Sequence, residues 1–226
     1  RDHRLRGAAG VTSKPDRLID LPVHEFVERA AAPAPEPGGG SVAALVGALA
    51  AGLAAMVCSL TVDRPKYREV ASDLSERWAR LGQLRTALTD LIDEDVRAYG
   101  RVMDAFQLPK STEAEKQARE AAVAQGLIGA IEAPLALAET ASEVVDHAVV
   151  IARTGNRTAR DDAVMAALLA ETAARGALFN VQTNLRLLRP ERTPAAIADR
   201  SRRVTARVAA LAPAIAGLTR DLVEAT

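Results

Sequence analysis

One carboxylate in this chain occupies a position that apolar side chains otherwise fill. Leu81, Leu84, Leu88, Ile92, Asp95, Tyr99, Val102 and Phe106 recur at spacings of three and four, the repeat of a single helix face. Asp95 is the one ionisable carboxylate on that stripe. A carboxylate facing a core is costly unless it is paired, hydrogen-bonded or protonated, and burial raises its pKa. A group held in that way suits general acid/base work near neutral pH. The same position also fits an ion pair with an arginine from another helix that only fixes packing. Periodicity alone leaves both readings open. Asp93 and Glu94 leave the stripe and are expected to be solvated.

Three further groups could meet a ligand. Gly38-Gly39-Gly40-Ser41 removes side-chain obstruction ahead of an apolar run, and Ser41 can cap a helix whose free N–H groups point outward. Such a turn receives carboxylates or polar ring edges, yet it also reads as a plain flexible turn. It lacks the lysine and spacing of a phosphate-binding loop. Asn180 and Asn184 lie one helical turn apart, on the side of Ala173 and Ala177. Two amides on a small-residue face offer donors and acceptors to a heterocycle, or tie two helices together. Asp161 and Asp162 follow Gly155-Asn156 at a helix start, where they can simply favour the helix dipole. Cys58, inside an uncharged run, reads as a small buried hydrophobe. Met103, Phe106 and Trp78 read as core. His24 and His147 fit no metal-ligand spacing, and no metal is expected.

The elements that must position these residues are helices. Alanine is abundant, prolines and glycines sit mostly between long segments, and no stretch sustains a period of two. A first helix is expected from an Asp20 N-cap to Ala32, ended by Pro33, Pro35 and Pro37. The uncharged run Val42 to Leu60 just reaches the length of a membrane span, about 18 residues. It is rich in Ala and Gly and no aromatic or basic belt precedes it, so a central helix buried all round is the preferred reading. A third helical pattern opens at Pro65 and reaches Phe106, with breaks allowed at Gly82 or Gly100. Thr112 and Glu115 form a capping box for a fourth, and Pro134 starts or kinks a fifth that stops at Gly155-Asn156. A sixth spans Arg160 to Leu188, and Thr193-Pro194 open the last. The expected fold is an all-α, single-domain orthogonal bundle of about six to eight helices over residues 18–226. Residues 1–17 read as a mobile basic arm, since no apolar stretch follows them as in a signal peptide.

Composition narrows the function. The 226 residues carry 29 basic and 29 acidic side chains, a net charge of zero, which argues against a general nucleic-acid binder. Aromatics make up 3%, too few for base-stacking platforms. A single cysteine excludes an internal disulfide and fits a reducing, cytoplasmic setting.

Taken together, three blocks resemble one known family. PEPGGGSVAALVGALAAGLAAMVCSLT (35–61), DEDVRAYGRVMDAFQLPKSTEAEKQAR (93–119) and TGNRTARDDAVMAALLAETAARGALFNVQTNL (154–185) occur in order. They look like the successive signatures of the formiminotetrahydrofolate cyclodeaminase and methenyltetrahydrofolate cyclohydrolase family. The resemblance covers almost everything from Leu18 onward. It implies an all-α domain that forms a homodimer and binds a reduced folate, with no cofactor beyond that substrate. Members either expel ammonia from 5-formiminotetrahydrofolate to give 5,10-methenyltetrahydrofolate, or hydrate the latter to 10-formyltetrahydrofolate. Asp95 matches the Asp of the second block, so the resemblance makes it the catalytic acid/base. By the same resemblance Gly38, Gly39, Gly40 and Ser41 contact folate, while Asn156, Asp162, Asn180 and Asn184 line the pocket. Glu36, Asp63 and Asp161 depart from the family pattern, and Glu36 and Asp161 would add carboxylates that bear on specificity. A non-catalytic folate-like ligand-binding or interaction module on the same scaffold is the rival reading.

Overall fold

A computed structural model describes residues 17–224 of the chain. Six α-helices and four short 3-10 turns follow one another, and no strand occurs among the described residues. The helices are α1 (Val23–Ala31), α2 (Gly39–Val62), α3 (Ala71–Gln107), α4 (Glu113–Thr154), α5 (Arg160–Leu188) and α6 (Ala195–Glu224). The expected all-helical architecture is the observed one. Residues 1–16 of the expected arm lie outside the described residues.

The core is built around α2, which packs against α3, α4 and α5. Its small residues permit this. A methyl group added to Gly47 would stand 3.1 Å from a Leu88 methyl and 3.4 Å from the Ala173 Cβ, so α3 and α5 press on α2 almost at backbone distance. Ala44, Ala50, Ala51 and Ala54 are fully buried at the same junction. However, α2 is not buried all round. Val42, Leu49, Met56 and Leu60 form an uncovered apolar stripe along it, with Leu49 59% exposed. By length and composition three helices, Gly39–Val62 among them, could cross a membrane, and 61% of the α2 window is buried inside the bundle.

Several boundaries differ from expectation. Asp20 does not cap α1: it closes a 3-10 turn, Leu18–Asp20, whose Leu18 is buried, and Pro22 precedes the helix. Pro65–Tyr67 form a separate 3-10 turn before α3, which then runs 37 residues without a break at Gly82 or Gly100. A Cβ at either glycine would meet nothing within 4 Å. The Thr112/Glu115 capping box is present at the start of α4. Pro134 neither starts nor ends a helix, because α4 continues through it for 42 residues. Proline lacks the N–H that would bond the carbonyl four residues back, Ala130. Asn184 of α5 donates its Nδ2–H to that carbonyl at 2.7 Å, so a neighbouring helix satisfies the acceptor that Pro134 leaves open.

Candidate functional site

The N-terminus of α2 presents N–H groups that lack partners within the helix. Its N-cap is Gly38, which has no side chain to accept them. The acceptor comes from α3 instead. The Ser41 N–H donates to Asp95 Oδ2 at 3.0 Å. The Ser41 hydroxyl lies 2.8 Å from the Ile92 carbonyl and 3.2 Å from the same Asp95 oxygen. Ser41 is therefore not the cap expected from sequence; it sits inside the first turn and holds the carboxylate that does the capping. Asp95 can come this close because position 40 has no side chain. A Cβ on Gly40 would fall 2.0 Å from Asp95 Oδ1.

No arginine or lysine pairs with Asp95 among the described residues, which removes the ion-pair reading. Burial holds its carboxyl above the usual carboxylate range, and the two Ser41 hydrogen bonds offset only part of that. The result is a carboxyl group able to hold or release a proton closer to neutral pH than an exposed aspartate.

Asp95 lines a cavity of about 290 Å³ together with Glu36, Gly38, Gly39, Gly40, Asn180 and Asn184. Tyr99, Met103 and Phe106 complete its walls. By their place in the sequence Met103 and Phe106 read as core. Instead Phe106 is 40% and Tyr99 43% exposed, because the last turns of the α3 stripe open onto this space. Trp78 is likewise exposed rather than core. The two asparagines divide their tasks. Asn184 spends an N–H on Ala130, as the helix-tying reading expects, whereas no hydrogen bond joins the Asn180 side chain to another described residue.

The start of the third block, unlike its asparagine pair, falls elsewhere. Asn156 is buried at the opposite end of α2, where its N–H donates to Thr61 Oγ1 at 3.0 Å and its Nδ2–H to the Leu60 carbonyl at 3.3 Å. Nineteen helical residues separate Ser41 from Leu60, about 30 Å. Within one chain, then, Asn156 does not line the Asp95 cavity; it caps the other end of α2. Asp161 and Asp162 lie beside it in the first turn of α5, where a negative charge favours the helix dipole. Asp93 is not solvated as expected. It is buried and accepts the Leu18 N–H at 2.7 Å and the Arg17 Nε–H at 3.2 Å, tying the N-terminal turn to α3. Glu94 is partly exposed and bridges Arg97 and Arg101.

A second cavity, about 420 Å³, shares Phe106, Leu127 and Leu187 with the first. Lys110, Lys116, Arg119, Arg189 and Arg192 line it against one acid, Glu120. Arg119 stacks on the Phe106 ring, 5.6 Å from its centroid, and donates to the Phe106 carbonyl. This cationic cleft stands out on a chain of zero net charge; Lys110, Lys116 and Arg119 belong to the second sequence block, whereas Arg189 and Arg192 lie outside all three. Lys110 follows the end of α3 and Arg189 the end of α5, and the fold brings both to the same cleft. Cys58 is buried and its thiol is pushed up to about 11, mainly by burial, as a buried hydrophobe requires. The described residues contain no cluster of three His, Cys, Asp or Glu side chains placed to hold a metal.

Comparison with known proteins gives a consistent picture. Residues 22–203 match the family model described as formiminotransferase-cyclodeaminase. The chain is 41% identical over 162 residues to a methenyltetrahydrofolate cyclohydrolase of Methylorubrum extorquens, covering 72% of this chain and 78% of that protein. It is 38% identical over 169 residues to the formimidoyltransferase-cyclodeaminase of Mus musculus, covering 75% of this chain but 31% of that longer protein. A formiminotetrahydrofolate cyclodeaminase crystal structure from Thermotoga maritima shares the fold, with a TM-score of 0.79 at 24% identity over 90% of this chain and 98% of that one.

Proposed function

This chain belongs to the formiminotransferase-cyclodeaminase family, and we propose from that premise that it is an enzyme of one-carbon-substituted tetrahydrofolates. Its reaction is the release of ammonia from 5-formiminotetrahydrofolate or the closely related hydration of 5,10-methenyltetrahydrofolate. The observation that carries the reading is the Asp95 carboxyl, raised by burial and held by Ser41 in a cavity with a free amide at Asn180. In the first reaction N10 attacks the formimino carbon, the bond to the terminal nitrogen breaks, and ammonia leaves. The departing nitrogen needs the N10 proton and one more. In the second, water attacks the methenyl carbon, the bond to N5 breaks, N5 gains a proton and one proton is released. Either way a single carboxyl group must take a proton at one atom and return it at another, which is the task that Asp95 is placed to perform.

The substrate also has a carboxylate-bearing glutamate end. The Asp95 cavity with Asn180 suits the pterin, and the adjoining cationic cleft suits the carboxylates. The protein is proposed to act in the cytoplasm as a homodimer without a further cofactor. The uncovered stripe of α2 supports the dimer: Val42, Leu49 and Met56 repeat at seven residues, and an uncharged patch is complementary to its own copy under two-fold symmetry. Leu49→Glu should convert a particle of twice the 23.8 kDa chain mass into a monomer in light scattering.

Absorbance time courses test the activity. One cuvette with 5-formiminotetrahydrofolate gains methenyl absorbance if ammonia is expelled. The other, with 5,10-methenyltetrahydrofolate, loses it faster than by spontaneous hydrolysis if the chain is a cyclohydrolase. Silence in both, with tetrahydrofolates still bound, would favour the non-catalytic module.

A further inference from the structure

The Asp95 cavity contains a second carboxylate whose work the mechanism leaves unassigned. Glu36 lies on the Pro35–Gly38 segment that leads into α2 and lines the same space of about 290 Å³. It is partly buried, and no ion pair or hydrogen bond engages its side chain among the described residues. Among the described residues Glu36, Asp95 and Tyr99 are the titratable groups of the lining, so these supply two carboxylates and no cation. The cations lie in the neighbouring cleft, beyond Phe106.

The two carboxylates have different surroundings. Asp95 is packed into the α2–α3 junction and fixed by Ser41. Glu36 comes from an irregular segment leading into α2, and no described cation pairs with it. The reaction centre is also charged: a carbon shared by two nitrogens is cationic in 5,10-methenyltetrahydrofolate and in a protonated formimino group. A carboxyl that carries a proton cannot at the same moment supply the opposing negative charge.

We propose that Glu36 is a specificity-determining residue that supplies the negative charge facing the cationic one-carbon bridge, while Asp95 moves protons. The inference rests on the folate reading. It makes the cavity selective for cationic over neutral one-carbon folates of nearly the same shape. A carboxylate a few ångströms from a cation, in a partly buried site, favours it on the order of tenfold or more after screening.

The test compares 5,10-methenyltetrahydrofolate, a cation, with 5-formyltetrahydrofolate, whose one-carbon unit is a neutral formyl group on N5. The KM or Ki of the first and the Ki of the second are measured for the wild-type chain, Glu36→Gln and Glu36→Asp. The ratio of the two constants should favour the cation in the wild type and fall on the order of tenfold in Glu36→Gln, with Glu36→Asp recovering part of it. A merely structural role would change both constants together and leave the ratio alone. An unchanged ratio in Glu36→Gln overturns the proposal while leaving the folate reading intact. A wild-type chain that binds neither compound overturns the folate reading, and this inference with it.

Discussion

Adding one methyl group at position 40 should silence the site while leaving most of the fold. In Gly40→Ala the new Cβ would lie 2.0 Å from Asp95 Oδ1, 2.4 Å from its Cγ and 2.7 Å from Oδ2. Real Cβ contacts stay beyond 3.0 Å, so the nearest oxygen must retreat by at least 1 Å, the difference between 3.0 and 2.0. The carboxyl group is rigid, so its Cγ at 2.4 Å and its Oδ2 at 2.7 Å must retreat with it, which disturbs the 3.0 Å bond that Oδ2 accepts from the Ser41 N–H. Overpacking of this kind costs about 1–3 kcal/mol, and the better helix propensity of alanine returns at most about 1. A proton-transfer group displaced by about 1 Å loses roughly a hundredfold in rate. The assay is kcat by methenyl absorbance beside a urea denaturation curve. Gly39→Ala is the companion variant: its methyl meets nothing within 4 Å, so its denaturation midpoint should stay at or above that of the wild type. Wild-type kcat and stability in Gly40→Ala would refute the reasoning, because the close approach of Asp95 to the α2 N-terminus would then not matter.

Two other changes separate stability from function. Burial raises the Asp95 pKa in the folded chain, so its protonated form stabilises the fold fully below the unfolded carboxylate range, and this is lost as pH rises through the raised folded value. Asp95→Asn does not ionise and its amide oxygen can still accept the Ser41 N–H, so its melting temperature should gain on the wild type as the pH is raised from acid to neutral. A gap that narrows over the same range would contradict the assigned direction. Asp93→Ala leaves the Leu18 N–H without its acceptor and frees the N-terminal turn; a loss of about 1–3 kcal/mol in urea denaturation is expected, with kcat little changed.

The helical class and the stripe that holds Asp95 were legible because both are written in periods of three and four. The Thr112/Glu115 box is local in sequence and was equally readable. What escaped depends on partners far along the chain. Pro134 reads locally as a break, and only Asn184, 54 residues away, shows why α4 continues. Asn156 lies in a motif that points to the pocket, yet its hydrogen bonds to Leu60 and Thr61 put it at the far end of α2. Asp93 looked solvated because its partners Arg17 and Leu18 come from a turn outside the helical pattern. Phe106 reads as core because a stripe does not reveal where its neighbours stop covering it.

One comparison tests most directly whether Asp95 is the proton carrier of a folate reaction. The initial rate of methenyl absorbance change is recorded for the wild type and Asp95→Asn with each of the two substrates. A rate above the spontaneous one is expected with one substrate in the wild type, with a loss of about a hundredfold or more in Asp95→Asn despite its intact fold. Equal rates in the two proteins would contradict it.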